Sequence, residues 1–152
     1  MRQAQRESRG DSTALSAFVR AGGAARPDAH AALALIRGDT ATALHLLADW
    51  RPAFADDPQG GIEYARLLAT VGHERDALAA LRRDHFSDWP VTARVLWHLE
   101  RARLAERLGE PAAARKDYAY VAAVWRHADP ELSRYVEEAR QGVRRLGGRP
   151  GA

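Results

Sequence analysis

The residue types that carry most enzyme and metal chemistry occur in this chain without the spacing that such chemistry requires. None of the six histidines lies within four residues of another, so no helix presents the i, i+4 pair that binds a metal ion. None of the five serines lies in a Gly-x-Ser-x-Gly sequence, and no glycine-rich phosphate loop accompanies the single lysine, Lys116. The sequence therefore predicts no catalytic residues, no metal and no cofactor, and the histidines are interpreted as surface or edge-of-core side chains.

Two adjacent pairs of carboxylates, Asp56–Asp57 and Glu137–Glu138, are the remaining candidates for acid–base chemistry. Neighbouring residues of a helix point about 100° apart, which suits neither a shared proton nor a shared metal ion. Asp57 precedes Pro58 and is better interpreted as a helix N-cap. The two glutamates are better interpreted as a solvated helix face.

The composition predicts a single all-α domain, whose helices would position any functional site. The chain has 152 residues, of which 46 % are hydrophobic, enough for one domain with a substantial core. It contains 32 alanines and no asparagine, and no stretch alternates apolar and polar residues long enough to indicate a strand. We expect a disordered lead-in over residues 1–11 and a single domain over residues 12–148.

Charge and cysteine usage narrow the expected partners and location. The net charge is +3, and basic residues are mixed with acidic ones along the chain, so a nucleic-acid partner is not expected. No apolar run approaches the ~18 residues that a membrane span needs, and no apolar segment follows the polar N-terminus as in a signal peptide. The absence of cysteine fits a reducing compartment. The sequence therefore predicts a cytoplasmic protein without a membrane partner.

A glycine followed five residues later by an alanine recurs at the spacing of a helical repeat. The glycines are 34 and then 37 residues apart, and the three pairs are Gly38 with Ala43, Gly72 with Ala77, and Gly109 with Ala114. Proline and aspartate start signals divide the chain into helical hairpins over about 25–53, 57–84 and 89–128. An amphipathic helix over about 130–146 follows them and is expected to cap the array.

These positions resemble the tetratricopeptide repeat, a unit of two antiparallel helices. The third hairpin matches best, with Gly109 ending its first helix, Ala114 early in the second, Tyr118 at the aromatic place and Ala102 at the small place. The corresponding residues of the other hairpins are Ala65, Gly72, Ala77 and Leu81, and Ala31, Gly38, Ala43 and Leu47. The resemblance implies a right-handed array of about three hairpins that binds a protein or peptide without catalysis.

In that family the first helices of the hairpins line a concave groove that holds an extended peptide. The resemblance places Arg66 and Arg103 at one repeat position of this wall, with Arg107 one turn beyond Arg103. Three guanidinium groups on one wall suit an acidic peptide or a C-terminal carboxylate. Glu63 and Glu100 share the wall at another equivalent position, so the arginines could instead pair with these glutamates.

Three alternatives remain open from the sequence. Residues 124–140 also resemble the end of repeat regions in large bacterial signalling proteins, which implies a detached sensor or docking module of a kinase or transcriptional regulator. A small helical enzyme is the alternative from another class, and no set of residues in the sequence supports it. Self-association through the ends of the array is a further possibility, and the partner itself is not identified by the sequence.

Overall fold

The chain is described by a computed structural model over residues 27–50, 57–82 and 89–148. These ranges contain seven α-helices and no strand, which confirms the all-α prediction for the part of the chain described. The predicted lead-in and a short helix expected over residues 13–21 lie outside the described residues. The helices are α1 (Pro27–Ile36), α2 (Thr40–Trp50), α3 (Pro58–Thr70), α4 (Glu74–Leu81), α5 (Val91–Arg107), α6 (Pro111–Val124) and α7 (Ser133–Gly147).

Three turns of identical hydrogen bonding connect α1 to α2, α3 to α4 and α5 to α6. Each turn contains a glycine with positive φ: 77° at Gly38, 86° at Gly72 and 75° at Gly109. In each, the residue after the glycine donates its backbone N–H to a carbonyl five residues back: Asp39 to Ala34, His73 to Leu68, and Glu110 to Ala105. This is the Schellman arrangement, which favours glycine because other residues are strained at positive φ.

Side-chain caps fix the beginnings of two helices. Asp57 is the N-cap of α3, where its Oδ1 accepts the backbone N–H of Gly60 at 2.9 Å, as its position before Pro58 predicts. Asp39 plays the same part for α2, because its Oδ1 accepts the backbone N–H of Thr42 at 3.0 Å. Hydrogen bonding with the side chain of Thr42, and then with its backbone N–H, lowers the pKa of Asp39. An aspartate therefore caps α2 after a tight turn and α3 after a longer loop, whereas α4, α5 and α6 begin without a side-chain cap.

Helix packing follows the order of the chain. The two helices of each hairpin pack together, and α1 contacts α3, α3 contacts α5, and α6 contacts α7. Alanines stand at the contacts, since six of them at the repeat positions have no exposed surface: Ala31, Ala43, Ala65, Ala77, Ala102 and Ala114. A side chain this small lets neighbouring helix axes approach closely, and Leu47, Ile62, Leu81 and Leu99 fill the core around them.

The end of the chain folds differently from the sequence prediction. The third hairpin is predicted over about 89–128, with its second helix filling the end of that range, but α6 ends at Val124 and a turn follows, with Ala128 donating its N–H to the Trp125 carbonyl. A proline disfavours helical geometry in the residue before it, so Pro130 keeps Asp129 out of a helix and separates α6 from α7. A short 3₁₀ helix, Pro130–Leu132, then leads into α7.

Helix α7 packs against α6 at very close range. A Cβ added to Gly142 would lie 2.4 Å from Tyr118 Cδ2 and 2.6 Å from Cε2, so the glycine makes room for the aromatic ring. The Tyr118 hydroxyl donates to Glu106 Oε2 at 2.9 Å, and Arg145 donates to both oxygens of the same carboxylate at 2.8 and 2.9 Å. Burial, together with the Glu106 hydrogen bond, raises the pKa of Tyr118. Tyr118 is therefore a structural residue that joins α5, α6 and α7.

Candidate functional site

An open cleft of about 530 Å³ lies between α3 and α5, and Glu74 of α4 closes one end. Its apolar surface comes from Ala65, Ala69 and Leu104, and its polar surface from three arginines, two glutamates and a threonine. The polar residues are Arg66, Thr70, Glu74, Glu100, Arg103 and Arg107. The small alanines leave the space open, because a larger residue on α3 would fill it.

The first arginine ties the two walls of the cleft together. Arg66 of α3 donates from Nε and Nη2 to Glu100 Oε1 of α5, at 3.1 and 2.5 Å. Its Nη1 donates to Glu63 Oε1 at 2.9 Å. Burial lowers the pKa of Arg66, and its pairing with Glu100 more than compensates, so the pKa is raised. Two internal carboxylates therefore occupy this guanidinium group.

The second arginine makes the corresponding contacts toward α7. Arg103 Nε and Nη2 donate to the two oxygens of Glu138, both at 2.6 Å, and Nη1 donates to Glu100 Oε1 at 2.6 Å. A guanidinium that holds a carboxylate through two parallel bonds is fixed in orientation as well as in charge. The hydrogen bonds with Glu138 raise the pKa of Arg103. Arg66 and Arg103 thus each reach a glutamate two helices further on, 34 and 35 residues along the chain, from α3 to α5 and from α5 to α7.

The third arginine differs from the other two because most of its donors are unoccupied. Arg107 Nε donates to Glu74 Oε1 at 2.7 Å, and the side chain of Arg107 is 48 % exposed. Neither Nη1 nor Nη2 donates a hydrogen bond to any residue in the described ranges. A guanidinium has five N–H donors, so four donors of Arg107 face the cleft or the solvent.

The structure brings four of the five predicted groove residues into this cleft. Arg66, Arg103, Arg107 and Glu100 line it, while Glu63 pairs with Arg66 without being part of the lining. Each of the three arginines pairs with at least one carboxylate, and Arg66 and Arg103 both contact Glu100, as the alternative left open by the sequence has it. The cleft is a mixed surface in which cationic and anionic groups alternate.

A second polar cluster lies on the other face of α5, against α6. Arg101 donates from Nε to Asp117 Oδ2 at 2.7 Å and from Nη2 to Asp117 Oδ1 at 2.6 Å. His98 Nδ1 lies 2.9 Å from Asp117 Oδ1, and the His98 ring packs against Tyr120 at 4.0 Å between ring centroids. Burial raises the pKa of Asp117, but the hydrogen bonds from His98 and Arg101 outweigh it and lower the pKa. An ionised Asp117 makes His98 Nδ1 the donor.

The sequence prediction missed this second cluster, although a signal was present. Asp117 lies three residues after Ala114 and four before Val121, both without exposed surface, so it falls on the buried stripe of α6. An acidic residue on such a stripe needs a partner, because a buried unpaired charge is strongly unfavourable. His98 and Arg101, one turn apart on α5, supply it. Only 15 % of either side chain is exposed, and their contacts with Asp117 join α5 to α6.

Comparisons with other proteins add nothing to this geometry. No protein-family model matches the chain, and neither a curated protein nor a solved structure is similar to it at a significant level. Among the described residues, no group of three or more histidine, aspartate or glutamate side chains is arranged to hold a metal ion. None of the described helices is both long and apolar enough to cross a bilayer. The cleft between α3 and α5 is therefore the candidate site on the strength of its geometry.

Proposed function

We propose that the protein is a non-catalytic scaffold that binds an extended, carboxylate-bearing peptide segment of a partner in the cleft between α3 and α5. The proposal includes a right-handed array of three helical hairpins, similar to the tetratricopeptide repeat, with α7 as its cap. Three observations support that arrangement: the identical glycine turns, the fully buried alanines at equivalent positions, and the contacts of α1 with α3 and of α3 with α5. Each hairpin of such an array buries its apolar face by stacking on the next.

The observation that carries the peptide-binding proposal is that four N–H donors of the Arg107 guanidinium remain unoccupied while its Nε contacts Glu74. Arg66 and Arg103 are occupied by Glu63, Glu100 and Glu138, so their role is to hold the walls of the cleft. Arg107 keeps four N–H donors in a planar fork, the geometry that matches a carboxylate. Of the three arginines predicted to form a clamp, Arg107 is then the one that contacts the ligand.

Fluorescence anisotropy with a defined probe tests this assignment. The probe is the labelled tetrapeptide Gln-Pro-Pro-Glu with an amidated C-terminus, so its glutamate side chain carries the single carboxylate. We expect Arg107→Ala to weaken binding by about tenfold, since a hydrogen bond to a charged group contributes about 1.5–3 kcal/mol when it is well made. The Arg107–Glu74 pair is half-exposed and worth only ~0–1 kcal/mol, so the variant should remain folded.

Arg140→Ala is the matched control, because Arg140 is an exposed arginine of α7 away from the cleft. The control should bind the probe as the unmodified protein does. Binding that is equal for the unmodified protein and Arg107→Ala would overturn the assignment of Arg107. If the unmodified protein bound neither this probe nor its counterpart with lysine in place of glutamine at millimolar concentration, the peptide-binding proposal would be overturned.

A further inference from the structure

The carboxylate of Glu100 is a second group in the cleft with an unused hydrogen-bonding atom, and its charge is opposite to that of Arg107. Glu100 is only 8 % exposed and lines the cleft. All three of its hydrogen bonds, two from Arg66 and one from Arg103, are made to Oε1. Its other oxygen, Oε2, accepts no hydrogen bond from the residues that the structure describes. Oε2 is not among the buried side-chain atoms that lack a partner, so it is open to the cleft and can accept a hydrogen bond from a ligand there.

Charge balance around Glu100 favours a positively charged donor. Two guanidinium groups, Arg66 and Arg103, face three carboxylates, Glu63, Glu100 and Glu138. Two positive and three negative charges leave the ion-pair network around Glu100 with one negative charge in excess, and Glu100 is the carboxylate of this network that lines the cleft. Arg107 and Glu74 form a neutral pair at the other end, where the free donors of Arg107 lie. The cleft therefore has an anionic end and a donor-rich end.

The spacing of the two ends fits a short stretch of extended chain. Glu100 and Arg107 are seven residues apart on α5, which is close to two helical turns and about 10.5 Å along the axis. Residues two turns apart lie on the same face of a helix. In a polyproline II segment, residues three apart also share one side and are separated by about 9.3 Å. A basic and an acidic residue at positions i and i+3 of such a segment match Glu100 and Arg107.

We infer that the occupant of the cleft is a zwitterionic peptide segment, with a lysine or arginine on Glu100 and a carboxylate, three residues away, on Arg107. This inference rests on the proposed peptide-binding function and adds a second determinant to it. Glu100, which the sequence analysis assigned to the groove wall, becomes the residue that selects for the basic position of the ligand. An acidic peptide without a basic residue contacts Arg107 but leaves Glu100 without a donor from the ligand.

The test compares two probes that differ in one side chain. Labelled Lys-Pro-Pro-Glu and Gln-Pro-Pro-Glu, both amidated at the C-terminus, have the same carboxylate and the same proline-stiffened backbone. The unmodified protein should bind the lysine probe about tenfold more tightly, because the new hydrogen bond joins two charged groups. In Glu100→Gln this preference should disappear, and in the matched exposed variant Glu137→Gln it should persist.

Carbodiimide coupling provides a readout that needs no variant, in case Glu100→Gln fails to fold. The reagent joins a lysine amine to a carboxylate in direct contact, and mass spectrometry of the unmodified protein with the lysine probe should locate the bond at Glu100. Coupling at Glu74 instead would overturn the inference, as would equal affinity for the two probes. Equal affinity would leave the peptide-binding proposal standing, whereas failure of both probes to bind would overturn the proposal and the inference together.

Discussion

The contact between Gly142 and Tyr118 gives the sharpest prediction about stability. Replacing Gly142 with alanine places a Cβ 2.4 Å from Tyr118 Cδ2 and 2.8 Å from Cγ, distances that ordinary carbon contacts do not reach. Restoring contact near 3.5 Å requires the ring and α7 to separate by about 1 Å. Tyr118 is only 2 % exposed and its hydroxyl is bonded to Glu106, so the ring has no free space to enter.

The expected magnitude is the difference between two opposing effects. Overpacking a tight core contact costs about 1–3 kcal/mol, and loss of the hydrogen bond from Tyr118 to the Glu106 carboxylate adds about 1.5 kcal/mol or more. Alanine is favoured over glycine inside a helix by about 1 kcal/mol, which offsets part of this cost. We expect Gly142→Ala to lower the free energy of unfolding by about 2–3 kcal/mol.

Urea unfolding followed by circular dichroism measures this change, and the same helix contains the control. A Cβ at Gly147 would lie 3.6 Å from Arg115 Nε, an ordinary contact, so Gly147→Ala should be neutral or stabilising by up to about 1 kcal/mol. In a Tyr118→Ala background the clash is removed, and there Gly142→Ala should stabilise. Gly142→Ala as stable as the unmodified protein would refute the close approach of α7 to the Tyr118 ring.

Two further predictions concern the turns and the buried acid. Gly109→Ala should lower the free energy of unfolding by about 1 kcal/mol, because φ is 75° at this position, although nothing lies within 4 Å of the added Cβ. An unchanged midpoint of urea unfolding would contradict this prediction. The pKa of Asp117 is lowered on folding, so its stabilisation is complete above its ordinary value of 3.8 and is lost as pH falls through the lower folded value. In thermal melting from pH 7 to pH 2, the unmodified protein should melt at a higher temperature than Asp117→Asn, and the difference should decrease only below about pH 4. A difference that stays constant over this range would contradict the lowered pKa of Asp117.

Local structure was predictable where one residue type has one physical use. Glycines followed by polar residues predicted the three turns, and Asp57 before Pro58 predicted the start of α3, because few residues tolerate positive φ or cap a helix. The residue types alone also predicted the all-α character of the described ranges. By contrast, the repeat assignment, the scaffold function and the cytoplasmic location stay predictions.

The arrangement of charges in the site was only partly predictable. The resemblance to the tetratricopeptide repeat placed Arg66 and Arg103 on one wall, and the structure places both in the cleft, Arg66 on α3 and Arg103 on α5. The sequence left open which carboxylates they contact, and Glu138 was not foreseen as a partner of Arg103. That pair depends on how α7 docks, which is decided by Gly142 against Tyr118 rather than by any charge pattern. Long-range side-chain pairs follow from packing, and the packing cannot be read from local sequence.

The contact between Arg66 and Glu100 also resists widening of the cleft and so restricts how thick a bound ligand can be. It connects α3 and α5 across the cleft through a charge-assisted contact, so prising the two helices apart would strand a largely buried carboxylate. A helix with its side chains is about 10 Å across or more, whereas a single extended chain is roughly half as wide. A ligand that needs the cleft to widen must break this contact, and a helix needs more width than an extended chain does.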